Sequence, residues 1–85
     1  MVTIYYLYIL KCRDASLYSG ITTDVKRRVQ EHNSSKRGAK YTRSHRPVKL
    51  VYTKPFKNRS LAQKAEYKLK SLSHQEKLDL INAQK

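Results

Sequence analysis

Apolar and polar positions lay out most of the chain before any other property is needed. Residues 2–12 (VTIYYLYILKC) are rich in Ile, Tyr, Leu and Val, the composition of a strand. Ile4, Tyr6, Tyr8, Leu10 and Cys12 fall on one face, and Tyr5, Leu7, Ile9 and Lys11 on the other. Both faces are mostly apolar, which predicts a central strand covered on both sides. Arg13-Asp14-Ala15-Ser16 reads as a turn, and residues 17–22 (LYSGIT) as a second strand that closes a hairpin. Gly20 inside that strand signals a bulge, or a close approach by a ligand or another backbone.

Helical signals follow. Thr22 or Thr23 is the expected cap of a first helix, with Asp24 in its first turn and its end near Ser34 or Ser35. Residues 34–46 (SSKRGAKYTRSHR) are polar and basic, and read as an exposed connection. Pro47 opens a third strand over 48–53; Asn58 or Ser60 caps a second helix that runs to about Leu72. Ser73 with Glu76 forms a capping box for a third helix, from His74 to about Asn82. The order β-β-α-β-α-α predicts a small α+β domain, a three-stranded antiparallel sheet flanked by about three helices. It forms one domain over residues 2–80. A chain of 85 residues buries only about 60–65% of its unfolded surface, so a thin core of two layers is expected.

Two helices carry residues that packing alone does not ask for. On the first, with Val25 at 0° and Val29 at about 40°, His32 falls near 340° and Arg28 near 300°. The face that must meet the sheet therefore also carries an arginine and a histidine one turn apart. On the second, Leu61, Ala65, Leu69 and Leu72 make the expected apolar stripe, with Glu66 at its edge. Glu66 is one of two acids between Lys26 and Lys70, a span holding fifteen bases. A carboxylate in that field neutralises a neighbour or holds a divalent cation.

Charge then narrows the partners. Nineteen Lys and Arg against six Asp and Glu give a net charge of +13, which points to polyanions and to nucleic acid first. Lys36, Arg37, Lys40, Arg43 and Arg46, interleaved with Tyr41, form a candidate phosphate-contacting loop. The longest apolar stretch, residues 4–10, falls well short of the roughly 18 residues of a membrane span and lacks the flanks of a signal peptide. One cysteine, Cys12, excludes an internal disulfide framework and makes a reducing, cytoplasmic location the expectation.

The ordered set of Tyr6-Leu7-Tyr8, Tyr18-Ser19-Gly20, Arg28, His32 and Glu66 resembles the GIY-YIG endonuclease domain, most of all its small stand-alone bacterial subfamily. The two half-motif tyrosines, Tyr8 and Tyr18, are ten residues apart, and Arg28 follows Gly20 by eight. The resemblance spans nearly the whole chain, and the stretch 38–43 (GAKYTR) shares it. This chain departs from the pattern at Tyr6, Leu7 and Ser19, and at Ala15, where a hairpin glycine is usual; Asn82 is a loose candidate for a late asparagine.

The resemblance implies phosphodiester hydrolysis in DNA with Mg²⁺ or Mn²⁺ and no small-molecule cofactor. Glu66 would hold the metal, and Arg28 would donate to the non-bridging phosphate oxygens. Tyr8 would help take the water proton, its pKa lowered by nearby cations. Tyr18 and His32 would orient phosphate or water. A non-catalytic DNA- or RNA-binding module on the same fold is the alternative, and a basic RNA-associated structural protein is a third. Plainer roles stand beside these: core aromatics for Tyr8 and Tyr18, and an i,i+4 partner of Lys70 for Glu66, worth only about 0.3–0.5 kcal/mol. The shared site also makes a geometric demand. Tyr8 and Tyr18 share a sheet face only if the hairpin loop has an odd residue count or a bulge lies near Gly20.

Overall fold

A computed structural model describes residues 3–34 and 45–84. The elements are β1 (Tyr5–Lys11), β2 (Leu17–Thr22), α1 (Val25–Ser34), β3 (Lys49–Phe56), α2 (Arg59–Lys70) and α3 (His74–Gln84). The three strands form one antiparallel sheet in the order β2-β1-β3, so β1 is central, as its two apolar faces require. The fold is α+β with the predicted element order.

The hairpin meets the parity demand. Cys12 N–H donates to Ser16 O at 2.8 Å, which closes a three-residue loop over 13–15. Leu10 then faces Tyr18 and Tyr8 faces Gly20, so both tyrosines lie on one face. Ala15 takes φ 70°, the left-handed residue that ends such a loop and that glycine usually supplies. Asp14 Oδ1 fastens the turn by accepting from Ser16 N–H at 3.1 Å and from its hydroxyl at 2.6 Å.

Helices cover both faces of the sheet, which gives three layers rather than two. On one side Tyr8, Leu10, Cys12 and Val48 form a small cluster with Tyr18 and with Val29 of α1. On the other, Leu7, Ile9 and Tyr52 pack with Leu69 of α2 and Ile81 of α3. A sheet apolar on both faces cannot leave either in water.

Element ends differ from the sequence expectation at three places. Asp24 itself caps α1, its Oδ1 accepting from Arg27 N–H at 3.1 Å. Thr22 is occupied as the end of β2, and its hydroxyl accepts from Asp24 N–H at 3.1 Å. β3 runs on to Phe56 through Pro55, which an edge strand tolerates because one row of its backbone groups has no ladder partner. α2 stops at Lys70, where Ser71 N–H bonds back to Lys68 O, so Leu72 lies beyond the helix. Asn58 caps α2 by accepting from Leu61 N–H at 2.9 Å, and Ser73 and Glu76 cap α3 reciprocally at 3.0 and 3.1 Å.

The packing face of α2 also differs. Ala62 is fully buried and Leu69 nearly so, whereas Leu61 is 41% exposed. The face that meets β2 and β1 is therefore 62, 65, 66 and 69, an i, i+3, i+4, i+7 stripe whose small alanines admit close approach. Glu66 stands within that stripe, not at its edge.

Candidate active site

Tyr8 organises the site. It projects from the central strand, is 2% exposed, and its ring crosses β2 over Gly20. A Cβ on Gly20 would sit 2.6 Å from the Tyr8 hydroxyl oxygen and 2.9 Å from Cζ, so only glycine leaves room for the ring. The close approach signalled by Gly20 is thus made by a side chain of the same chain. This crossing carries the hydroxyl toward the edge strand on which α2 packs.

Three groups act on that hydroxyl. His32 Nε2 lies 3.0 Å from it, bringing together residues 24 apart in sequence. Arg28, one helical turn before His32, hydrogen-bonds to it as well. The Glu66 charge also reaches it, acting to raise its pKa. Arg28 can only donate. The phenol oxygen therefore accepts from Arg28, and its own proton can go to Nε2 in the tautomer that carries no hydrogen there. Tyr18 joins from β2, its ring edge-on to His32 at 5.3 Å between centroids and 62° between planes. Tyr8, Tyr18, Arg28 and His32 converge on one locality, and the charge of Glu66 reaches it. Glu66 comes from the helix layer opposite α1, and its effect crosses at the β2 edge.

The electrostatics correct one expectation. Burial dominates at Tyr8 and holds its pKa above the ordinary value of 10, although the Arg28 hydrogen bond and charge pull the other way. The resting phenol is protonated at neutral pH. His32 is fully buried, and burial followed by the Arg28 charge lowers its pKa to about 4. Its imidazole is neutral, as an acceptor for the Tyr8 proton must be. Burial opposes the Arg28 charge too, but hydrogen bonds to Glu31 and Tyr8 outweigh it and raise its pKa.

Access divides the roles. Side chains of Arg28 and Glu66 are 26% and 23% exposed, and Tyr18 is half-buried. These three can meet a phosphate directly. His32 and Tyr8 are both enclosed, at 0% and 2% exposed, and lie behind these three.

Glu66 stands 3.4 Å from Lys70 Nζ, the i,i+4 pair that the plainer reading expected. Lys70 is 58% exposed, and such surface pairs contribute about 0–1 kcal/mol, so the carboxylate is weakly held. Among the described residues no three His, Cys, Asp or Glu side chains gather as a metal cage. A single accessible carboxylate suits a hard cation that keeps its waters and shares a substrate phosphate, as Mg²⁺ does; it does not suit a structural zinc site.

Two supporting residues went unnoticed in the sequence. Glu31, the other acid of the basic span, holds Arg28 Nη1 at 3.0 Å and so fixes the guanidinium beside Tyr8. The i,i+3 spacing was its signal. Asn33 accepts from Val48 N–H at 2.7 Å and donates to Val48 O at 3.0 Å, tying the end of α1 to the start of β3. Its sequence carries no comparable signal.

Of the expected phosphate-contacting loop, Lys36, Arg37, Lys40, Tyr41 and Arg43 lie outside the described residues. Arg46 is described, and its guanidinium donates to the carbonyls of His32 and Glu31, the open end of α1. His45 sits 3.4 Å from Asp14, and Cys12 is a free, buried thiol. A groove of about 710 Å³ opens between α1 and β3, lined by Tyr6, Val25, Val29, Leu50 and Thr53 among others, but none of the five motif side chains lines it. Among the described residues no helix is long and apolar enough to cross a membrane.

Known proteins resemble this chain over most of its length. The family model described as the GIY-YIG catalytic domain matches residues 4–79. The chain belongs to the GIY-YIG family. Its relatives include a UPF0213 protein of Desulfotalea psychrophila, 52% identical over 93% of this chain and 72% of the relative. A UPF0213 protein of Staphylococcus haemolyticus is 51% identical over 91% of this chain and 93% of its own. The solution NMR structure of the UPF0213 protein from Bacillus halodurans matches with a TM-score of 0.61 and 45% identity. It covers 94% of this chain and 84% of that one. An E. faecalis protein solved by NMR matches at 0.62 and 42%, covering 99% and 92%. These place the chain among small stand-alone GIY-YIG proteins.

Proposed function

We propose that this protein is a divalent-metal-dependent endonuclease that hydrolyses phosphodiester bonds in DNA, acting in the cytoplasm. One observation carries the reading: a buried tyrosine hydroxyl held between Arg28 and a neutral His32, within reach of the Glu66 charge. A core tyrosine needs one hydrogen-bond partner for its hydroxyl, not an arginine, a histidine and a nearby carboxylate together. A tyrosine that must pass on a proton needs all of them.

Phosphodiester hydrolysis requires an activated water, neutralised phosphoryl charge and a stabilised leaving oxygen. Glu66 would hold Mg²⁺ or Mn²⁺ together with the substrate phosphate, and the metal would supply Lewis-acid stabilisation of the phosphoryl charge. Arg28, held by Glu31, donates to a non-bridging oxygen as negative charge builds there. The Tyr8 oxygen accepts a proton from the attacking water while its own proton passes to His32 Nε2. The phenol ends neutral and the proton rests on His32, a weak acceptor with a pKa of about 4, so the transfer has to run together with attack of the water oxygen on phosphorus. Tyr18, half-buried beside His32, contacts the phosphate and keeps the imidazole in place.

The competing reading is a nucleic-acid-binding module without turnover, and the Glu66–Lys70 pair favours it, because a carboxylate engaged by lysine needs no metal. Glu66→Gln separates the two. Cleavage of a panel of linear and branched DNA in Mg²⁺ or Mn²⁺ should fall by a factor of about 10²–10³, while affinity in EDTA holds or tightens. Equal cleavage by both proteins would remove Glu66 from the metal, and binding without cleavage by either would favour the module.

A further inference from the structure

The side of α2 that faces away from the sheet is not used by the site, yet its composition is unusual. Tyr67 is 80% exposed, while the next most exposed large apolar side chain among the described residues, Leu61, is 41% exposed. Cations surround it. Arg59, Lys64 and Lys68 lie on the same helix, and none of them forms an ion pair among the described residues. Ser60, Gln63, Lys64 and Lys68 line a shallow hollow of about 470 Å³ beside the Tyr67 ring.

This surface is continuous with the site. Measured around the helix from Glu66, Lys70 lies at about 40°, Gln63 at 60°, Tyr67 at 100° and Lys64 at 160°. A strand whose phosphate meets Glu66 and Arg28 can therefore continue over Lys70 and onto the Tyr67 face without leaving positive surface. An aromatic ring held in water costs free energy, and phosphate-binding cations do not require one. A ring among cations does serve a base whose face is open, because every base can stack on it. Paired bases within a duplex keep their faces covered.

We propose that the outer face of α2 is a binding surface for an unpaired nucleic-acid strand running from the active site, with Tyr67 stacking on a base and Lys64 and Lys68 on the flanking phosphates. The proposal rests on the nuclease reading for its direction from the site, but its test does not rest on cleavage.

The test is fluorescence anisotropy in EDTA, with a labelled mixed-sequence single-stranded DNA and the duplex of the same length. Tyr67→Ala should weaken single-strand binding by roughly 5- to 100-fold and leave duplex binding within about 2-fold. Tyr67→Phe, which keeps the ring, should bind as wild type. The double variant Lys64→Ala with Lys68→Ala should flatten the single-strand log–log salt slope by about 1.4. Thermal melts within about 2 °C of wild type would confirm that the exposed substitutions leave the fold intact. Unchanged single-strand affinity in Tyr67→Ala, equal weakening on both DNAs, or a wild-type protein that does not bind single strands would each overturn the proposal. If Tyr67 passes and no DNA is ever cleaved, the nuclease reading fails alone. If DNA is cleaved and Tyr67→Ala changes nothing, this surface fails alone.

Discussion

Gly20→Ala is the sharpest perturbation the fold offers, because it adds one methyl group at the crossing of β2 and Tyr8. The added Cβ would stand 2.6 Å from the Tyr8 hydroxyl oxygen, about 0.8 Å inside ordinary contact, and 2.9 Å from Cζ. The ring cannot simply swing aside, since Tyr8 is 2% exposed and its hydroxyl is engaged by His32 and Arg28. Overpacking of this kind costs about 1–3 kcal/mol, and a displaced hydroxyl weakens at least one hydrogen bond worth about 0.5–1.5 kcal/mol. A total near 3 kcal/mol lowers the melting temperature of a domain this size by roughly 12–24 °C. Misplacing the hydroxyl by the same fraction of an ångström should cut cleavage by about 10²-fold. The assay is a melting curve followed by circular dichroism for wild type, Gly20→Ala, Tyr8→Phe and the double variant. Tyr8→Phe removes the nearest clashing atom but not Cζ, so Gly20→Ala should cost less in that background, with a coupling of at least 0.5 kcal/mol, about the smallest such cycles resolve. A Gly20→Ala protein that melts with wild type, or strictly additive costs, would refute the crossing of ring and strand described here.

Four further outcomes follow from the same structure. Ala15→Gly should raise stability by about 0.5–1 kcal/mol in a thermal melt, because φ 70° is costly for alanine and free for glycine. His32 has a folded pKa of about 4 against an unfolded value near 6.5, so the unfolded chain binds the extra proton between those values. Its contribution is therefore fully present above about pH 6.5 and is lost as pH falls toward 4, by about 3 kcal/mol in all; a His32→Asn protein should lack this part of the pH dependence of melting. Asn33→Ala removes both bonds to Val48, whose N–H is then buried without its partner, and should cost about 2 kcal/mol in denaturant unfolding. Ser73→Ala breaks the reciprocal cap of α3 and should cost about 1 kcal/mol in the same measurement.

Local chemistry was legible in the chain itself. The strand over 5–11 and its two apolar faces, the β2 segment, the Asn58 cap and the Ser73–Glu76 box all depend on residues within a few positions of one another. Their periods and side-chain oxygens are written in order along the sequence. The condition for Tyr8 and Tyr18 to share a face was legible as well, but whether the loop met it was decided only by the bond from Cys12 N–H to Ser16 O. The motif residues were named from family resemblance and spacing, and the structure brings Tyr8, Tyr18, Arg28 and His32 together.

What the chain did not disclose depends on contacts between distant segments. That α2 presents Ala62 rather than Leu61 to the sheet follows from how closely the helix must approach β2 and β1, which its own apolar pattern leaves open. Arg46 was indistinguishable from its basic neighbours until the end of α1 lay beside it, 14 residues away, with carbonyls to satisfy. Burial set the sign at Tyr8: its neighbouring cations were countable in sequence, but the desolvation that outweighs them exists only once β2, α1 and the sheet enclose the ring. Local pattern determines which elements form and which faces they offer. Only their packing decides which charges lose their water, and with it the protonation of the residues at the site.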